Sequence, residues 1–196
     1  MAWTAPVTET TQAVAWGDLD GDGFPELAVA NWGTANRVYS NTNGSLTNAW
    51  TSPEAEYSTA LAWGDWDGDG DLDLAEGNWG QFNRVYVNRS GSLFLGWVSP
   101  DADATLGLAW GDADGDGDLD LASANGANQP NRIYLNNGLH MGLAASTPES
   151  LTAQSVAWGD LDGDGDLDLA AADIAGPNRV YRNDRGRLTL FWTATE

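Results

Sequence analysis

The chain has 196 residues, 29 of them acidic against 8 arginines and no lysine, which gives a formal charge of -21. Without a basic patch it has no means of tracking a phosphate backbone; without cysteine it has neither disulfides nor thiolate sites; and no apolar run reaches the length of a membrane span. The acidity is confined, because 19 of the 29 acids fall in four short loops and the other 10 nearly balance the 8 arginines.

The first ten residues, MAWTAPVTET, lack the basic and apolar regions of a signal peptide. Trp3 precedes Pro6 as Trp50 precedes Pro53, so residues 1–10 read as the tail of a preceding outer strand. From there the chain is periodic. Asp18, Asp65, Asp112 and Asp160 open four copies of one acidic loop at spacings of 47, 47 and 48 residues. An N-R-V/I-Y-x-N segment follows each loop, from Asn36, Asn83, Asn131 and Asn178. Repeats one, two and four close on a tryptophan, Trp50, Trp97 and Trp192, and the third has Ala145 in its place.

Each repeat reads as four short strands. In the second, STALAWGD alternates, with Leu61 and Trp63 on one face and Ala60 and Ala62 on the other. LAEGNW and NRVYVN follow, and NRSG (NTNG in the first repeat) supplies hairpin chemistry ahead of SLFLGWV. No stretch offers ten residues of helical periodicity. The expected fold is all-β, a single array with four-stranded units at 11–52, 58–99, 105–147 and 153–195. Units of this size and period match the blades of a β-propeller. The Leu/Val-and-Trp face of each first strand is expected to pack on the Ala face of the next blade, large side chains against small.

The loops carry the chemistry. In WGDWDGDGDLDL, Asp65, Asp67, Asp69 and Asp73 take loop positions one, three, five and nine, and Asp71 at seven offers its backbone carbonyl. A hard cation such as calcium takes roughly six to eight oxygens, and carboxylates alternating along a tight loop converge on one point. Gly68 and Gly70 permit the left-handed backbone that such a turn needs. The same positions hold Asp18, Asp20, Asp22, Phe24 and Glu26; Asp112, Asp114, Asp116, Asp118 and Asp120; and Asp160, Asp162, Asp164, Asp166 and Asp168. Four calcium ions per chain are expected, with the longer Glu26 weakening the first site. An EF-hand is disfavoured: it needs a bidentate acid at position twelve between helices, and that position holds Val29, Glu76, Ser123 and Ala171 between strands.

The D-x-D-x-D-G-x-x-D-L loop after a short strand, followed by N-R-V-Y-x-N, resembles the FG-GAP or VCBS repeat. That repeat builds the calcium-bearing blades of integrin α-subunit propellers and of related bacterial surface proteins and fungal lectins. The resemblance implies a β-propeller with calcium between strands one and two of each blade. It also implies an extracellular or cell-surface setting, and carbohydrate or cell-surface protein as ligand, held by loops on the other face or between blades. Propellers of that family usually have about seven or eight blades, whereas this chain has four repeats. The expected resolution is an eight-bladed ring formed by a homodimer; the alternative is a closed four-bladed propeller.

Trp16, Trp63, Trp110 and Trp158 recur at one strand position and read as packing. Trp32 and Trp79 do not recur, Gly126 and Ile174 standing in their places. Asn31, Trp32, Asn78 and Trp79 are therefore candidate ligand-binding residues, suited to stacking on a sugar, with loop-edge packing as the competing reading. The paired acids are fourfold, where a catalytic pair would be singular, and no G-x-S-x-G, P-loop or zinc spacing appears. His140, the only histidine, falls on a turn. A binding or adhesion module is expected rather than an enzyme, the other reading being a structural or engineered scaffold without a ligand. Neither nucleic acid nor membrane insertion is expected.

Overall fold

The computed structural model describes residues 3–138 and 140–195; Met1 and Ala2, the start of the expected tail, lie outside them, as do Leu139 and Glu196. Among the described residues there is no helix, and none therefore long and apolar enough to cross a membrane. The described residues form sixteen strands in four antiparallel sheets, each in simple chain order. The first holds β1 (Thr11–Gly17), β2 (Glu26–Asn31), β3 (Arg37–Thr42) and β4 (Ser45–Thr51). The second holds β5 (Ser58–Gly64), β6 (Asp73–Asn78), β7 (Arg84–Asn88) and β8 (Leu93–Val98). The third holds β9 (Thr105–Gly111), β10 (Asp120–Asn125), β11 (Arg132–Asn136) and β12 (Met141–Ser146). The fourth holds β13 (Ala153–Gly159), β14 (Asp168–Asp173), β15 (Arg179–Asp184) and β16 (Arg187–Thr193).

Register places the acidic loops. Gly17 pairs with Glu26, Gly64 with Asp73, Gly111 with Asp120 and Gly159 with Asp168, so loop positions one and nine stand at the mouth of the same hairpin. The outer hairpins turn on Asn43–Gly44, Ser90–Gly91 and Arg185–Gly186, with both φ angles positive in each pair. A two-residue turn that matches strand twist requires that geometry.

The core lies between sheets rather than within them. Ala28 and Val38 of the first blade meet Leu74, Tyr86 and Leu93 of the second. Ala75 and Val85 meet Leu121, Tyr134 and Met141, and Ala122 and Ala124 meet Val156, Leu169 and Tyr181. Alanines and valines of the earlier blade's second and third strands face leucine and tyrosine of the later one, with Leu19 and Trp66 at loop position two entering from the earlier side and Ala153 and Ala171 from the later. The expected direction of packing is thus corrected: Trp63, Trp110 and Trp158 lie on the preceding blade, not the next. Their indole N–H groups donate to the carbonyls of Ala15, Ala62 and Ala109 at 3.3, 3.1 and 3.2 Å. Alternation shows which residues share a face, but not on which side of the sheet the chain lays its next blade. The contact is close enough to exclude a side chain beneath the ring: a Cβ on Gly17 would sit 2.6 Å from Trp63.

A second tryptophan contact joins the outer strands. Trp50 donates to the Leu93 carbonyl and meets Tyr86 edge-on, and Trp97 does the same with Met141 and Tyr134. Trp3 repeats the pattern on Leu46 and Tyr39, so the described part of the tail packs as an outer-strand end.

The array is open. Val14 and Trp16 on the first blade are 61% and 56% exposed, and Ser155, Ala157 and Gly159 on the last are also exposed. The closed four-bladed ring is not formed, because the first and last inner strands do not pack together as their neighbours do.

Candidate metal centre

Each acidic loop is held by its own carboxylates. The position-one acid folds back on the loop: Asp18 accepts from the amides of Gly21 and Gly23 at 2.9 and 3.0 Å, and Asp160 from Gly163 and Gly165 at 2.7 and 3.2 Å. Those glycines are left-handed, with φ of 73° and 89° in the first loop, and that backbone brings their amides inward. The position-nine acid ties the loop to the sheet. Asp73 is fully buried, with Oδ2 accepting from Trp66 N at 2.8 Å and Oδ1 from Asn88 N at 2.7 Å. Asp120 accepts from Ala113 and Asn136, and Asp168 from Leu161 and Asn183, in the same way.

These constraints bring carboxylate oxygens together. In loops two, three and four the converging acids are Asp65, Asp67 and Asp73; Asp112, Asp114 and Asp120; and Asp160, Asp162 and Asp168, with one oxygen from each within 4.8 Å of the others. In loop one they are Asp18, Asp20 and Asp22. Glu26 keeps the anchoring bonds, to Leu19 N at 2.7 Å and Asn41 N at 3.2 Å, but does not join the trio. The position-five acids Asp69, Asp116 and Asp164 accept from the amides of Asp71, Asp118 and Asp166 and stand outside the trios. Asp65 Oδ1 is buried with no hydrogen-bond partner, as suits an oxygen directed at a cation. An all-oxygen, all-carboxylate donor set fits a hard divalent ion.

Burial pushes the Asp73 and Asp120 carboxyls up to about 6, against the lowering effect of their backbone N–H bonds. Partial burial, and then the charges of Asp69 and Asp116, raise Asp67 and Asp114 as well. A raised folded pKa favours the metal-free fold below the ordinary carboxylate range, and that favour is lost as pH rises through about 6. A cation takes the ionised form instead. The gap in melting temperature between calcium-loaded and chelated protein is therefore expected to widen from pH 5 to pH 7, as scanning calorimetry would show.

The loops are braced across blades by a residue that the sequence marked only as the end of a strand signature. Asn88, Asn136 and Asn183 donate from Nδ2 to the carbonyls of Leu19, Trp66 and Ala113, position two of the preceding loop. Loop four has a further peculiarity: Arg182 forms an ion pair with Asp162 while lying 5.0 Å from the Phe191 ring centroid.

The aromatic candidates separate. Trp32 and Tyr57 are both exposed and stack at 4.8 Å and 36° across the first blade boundary. Trp79 is half-buried and lies over Gly126, whose Cβ would sit 3.1 Å from the ring. Asn31 and Asn78, expected beside these rings, are wholly buried. Their side chains donate to Ala35 O and Glu9, and to Phe82 O and Glu56, so they fix the loop instead of facing solvent. The arginine of the strand signature closes the same network: Arg37 pairs with Glu9, Arg84 with Glu56 and Arg132 with Asp103. In blade four Leu151 takes the place of that acid, and Asp173, standing where the others have asparagine, pairs with Arg179 at 3.9 Å.

No curated protein sequence matches the chain. Among solved structures, BBS1N in complex with ARL6DN matches with a TM-score of 0.65 and 16% identity in a lead-soaked crystal. The mercury-soaked crystal gives 0.64 and 17%. The V. cholerae biofilm matrix protein Bap1 matches with a TM-score of 0.62 and 18% identity. The matches cover 94%, 98% and 95% of this chain but only 57%, 59% and 31% of those, so it spans well under two thirds of their length. At such identities the likeness shows the propeller-like fold. The FG-GAP-like repeat matches residues 18–76 and 112–171, and the FG-GAP repeat matches residues 152–191. The chain belongs to the FG-GAP repeat family.

Proposed function

We propose that the chain is a calcium-stabilised recognition module that works outside the cell, binding a carbohydrate or a cell-surface protein without catalysing a reaction. The observation that carries this reading is the fourfold convergence of three carboxylates on a point, in loops otherwise braced to the blades. Calcium suits the loops better than magnesium, which demands a smaller octahedral shell. Each loop takes one ion, so the chain takes four. Repetition of the site argues for a structural cation, and recognition falls to what does not repeat. Trp32 with Tyr57 offers an exposed aromatic platform at a blade boundary, the surface that stacks on a pyranose ring. The open faces of the first and last blades are best satisfied by a second copy that completes an eight-bladed ring.

A glycan array probed in calcium tests recognition. Binding by the wild type that falls at least tenfold in Trp32→Ala, the loss of roughly 1.4 kcal/mol, is expected. A wild type that binds no glycan and no cell surface would favour the scaffold reading, in which the loops serve the fold alone.

A further inference from the structure

Each internal blade boundary is clasped at the acidic loops by one asparagine. Asn88, Asn136 and Asn183 reach the position-two carbonyls of the preceding loop at 2.7, 2.8 and 2.6 Å. The backbone N–H of the same asparagine donates to the position-nine carboxylate of its own loop. Every clasp thus braces two successive loops.

The ends of the array each hold half of this clasp. On blade one, Asn41 Nδ2 donates to Pro25 O in its own loop at 3.0 Å, while its Oδ1 accepts from Gly44 N. Asn183 shows that one amide serves both directions, since it bonds Leu167 O in its own loop as well as Ala113 O. Asn41 therefore keeps a second hydrogen for a preceding loop. On blade four, Leu161 at position two is 49% exposed, where Leu19, Trp66 and Ala113 are 3%, 7% and 1%. The packing halves match too. Trp63, Trp110 and Trp158 lie on Gly17, Gly64 and Gly111, which leaves exposed Trp16 and exposed Gly159 as the unused pair. A Cβ at Gly111 would sit 2.6 Å from Trp158, but at Gly159 it meets nothing within 4 Å.

We propose that blade one of a second copy docks on blade four, setting Trp16 on Gly159 and Asn41 on the Leu161 carbonyl, so that the fourth acidic loop is completed in trans. This rests on the ring closure proposed above and gives it a consequence: calcium affinity at loop four and association of the two copies strengthen each other by the same factor. The contact runs through inner strands and loops. Trp3 already holds the outer slot on Tyr39 that Trp192 of the second copy would enter, so one of these two tryptophans yields on docking.

Sedimentation velocity and calcium titration of the full chain over a protein concentration series test the proposal. Loop four should bind calcium weakly in the monomer and tightly in the dimer, with loops one to three unchanged between the two states. Gly159→Ala should fold and stay monomeric. Asn41→Ala should weaken one site in the dimer by about threefold to tenfold, the effect of one hydrogen bond. That loss should vanish in an Asp160→Ala background, which separates an effect on loop four from one on loop one. A dimer in which Asn41→Ala leaves every site unchanged overturns completion in trans but keeps the ring. Dimerisation of Gly159→Ala like the wild type overturns the docking geometry. A wild type that is monomeric at every concentration overturns both.

Discussion

Chelation of calcium is expected to lower the melting temperature by on the order of 20–40 °C. An ion that binds only the folded state adds about 2.7 kcal/mol at a hundredfold excess over its Kd. Four sites then contribute on the order of 10 kcal/mol, as much as the whole stability of many domains, and for a chain of this size each 1 kcal/mol shifts Tm by about 2–4 °C. The acids explain why so much rests on the ion. The loops concentrate 19 carboxylates, and in three loops two members of each trio lie beside a position-nine acid that is almost wholly buried. Without cations those charges repel at close range. A melting curve indifferent to chelator would show that the loops are held by their hydrogen bonds alone.

The second large effect concerns position nine. Asp73→Ala is expected to destabilise the protein by about 3 kcal/mol more than Asp69→Ala in saturating calcium. Removing the Asp73 carboxylate strands the amides of Trp66, Asp67 and Asn88, two of them buried, and each such donor costs about 1–3 kcal/mol. Asp69 accepts only from Asp71 N, two residues on, in an exposed turn that water can satisfy. Urea unfolding of the two variants checks this. Equal losses would mean that both acids act as ligands of equal weight and that the anchoring bonds of Asp73 contribute little.

Much of this was legible in the chain. The loop repeat, the alternating first strand and the Asn-Gly turn each have a local physical cause, and each lies where those causes put it. What could not be read depends on contacts far apart in sequence. Asn88, Asn136 and Asn183 reach carbonyls 69 or 70 residues away, and nothing local marks a strand-ending asparagine as a clasp. The direction in which Trp63 packs is set by how successive sheets stack, to which a period of two is blind. Asn31 and Asn78 sat beside a variable tryptophan and so read as surface residues. Their burial follows from the acid–arginine network that each blade builds around them. Position nine reads as a ligand only, because one of its anchoring bonds comes from Asn88 on a separate strand and the other two, from the Trp66 and Asp67 amides, exist only once the loop has closed.

The most direct measurement is the calcium content of the folded protein. Isothermal titration of metal-stripped chain with calcium at pH 7 should give four ions per chain, with magnesium binding far more weakly. Uptake of no calcium, or of a single ion, would contradict a repeated calcium site as the basis of the fold.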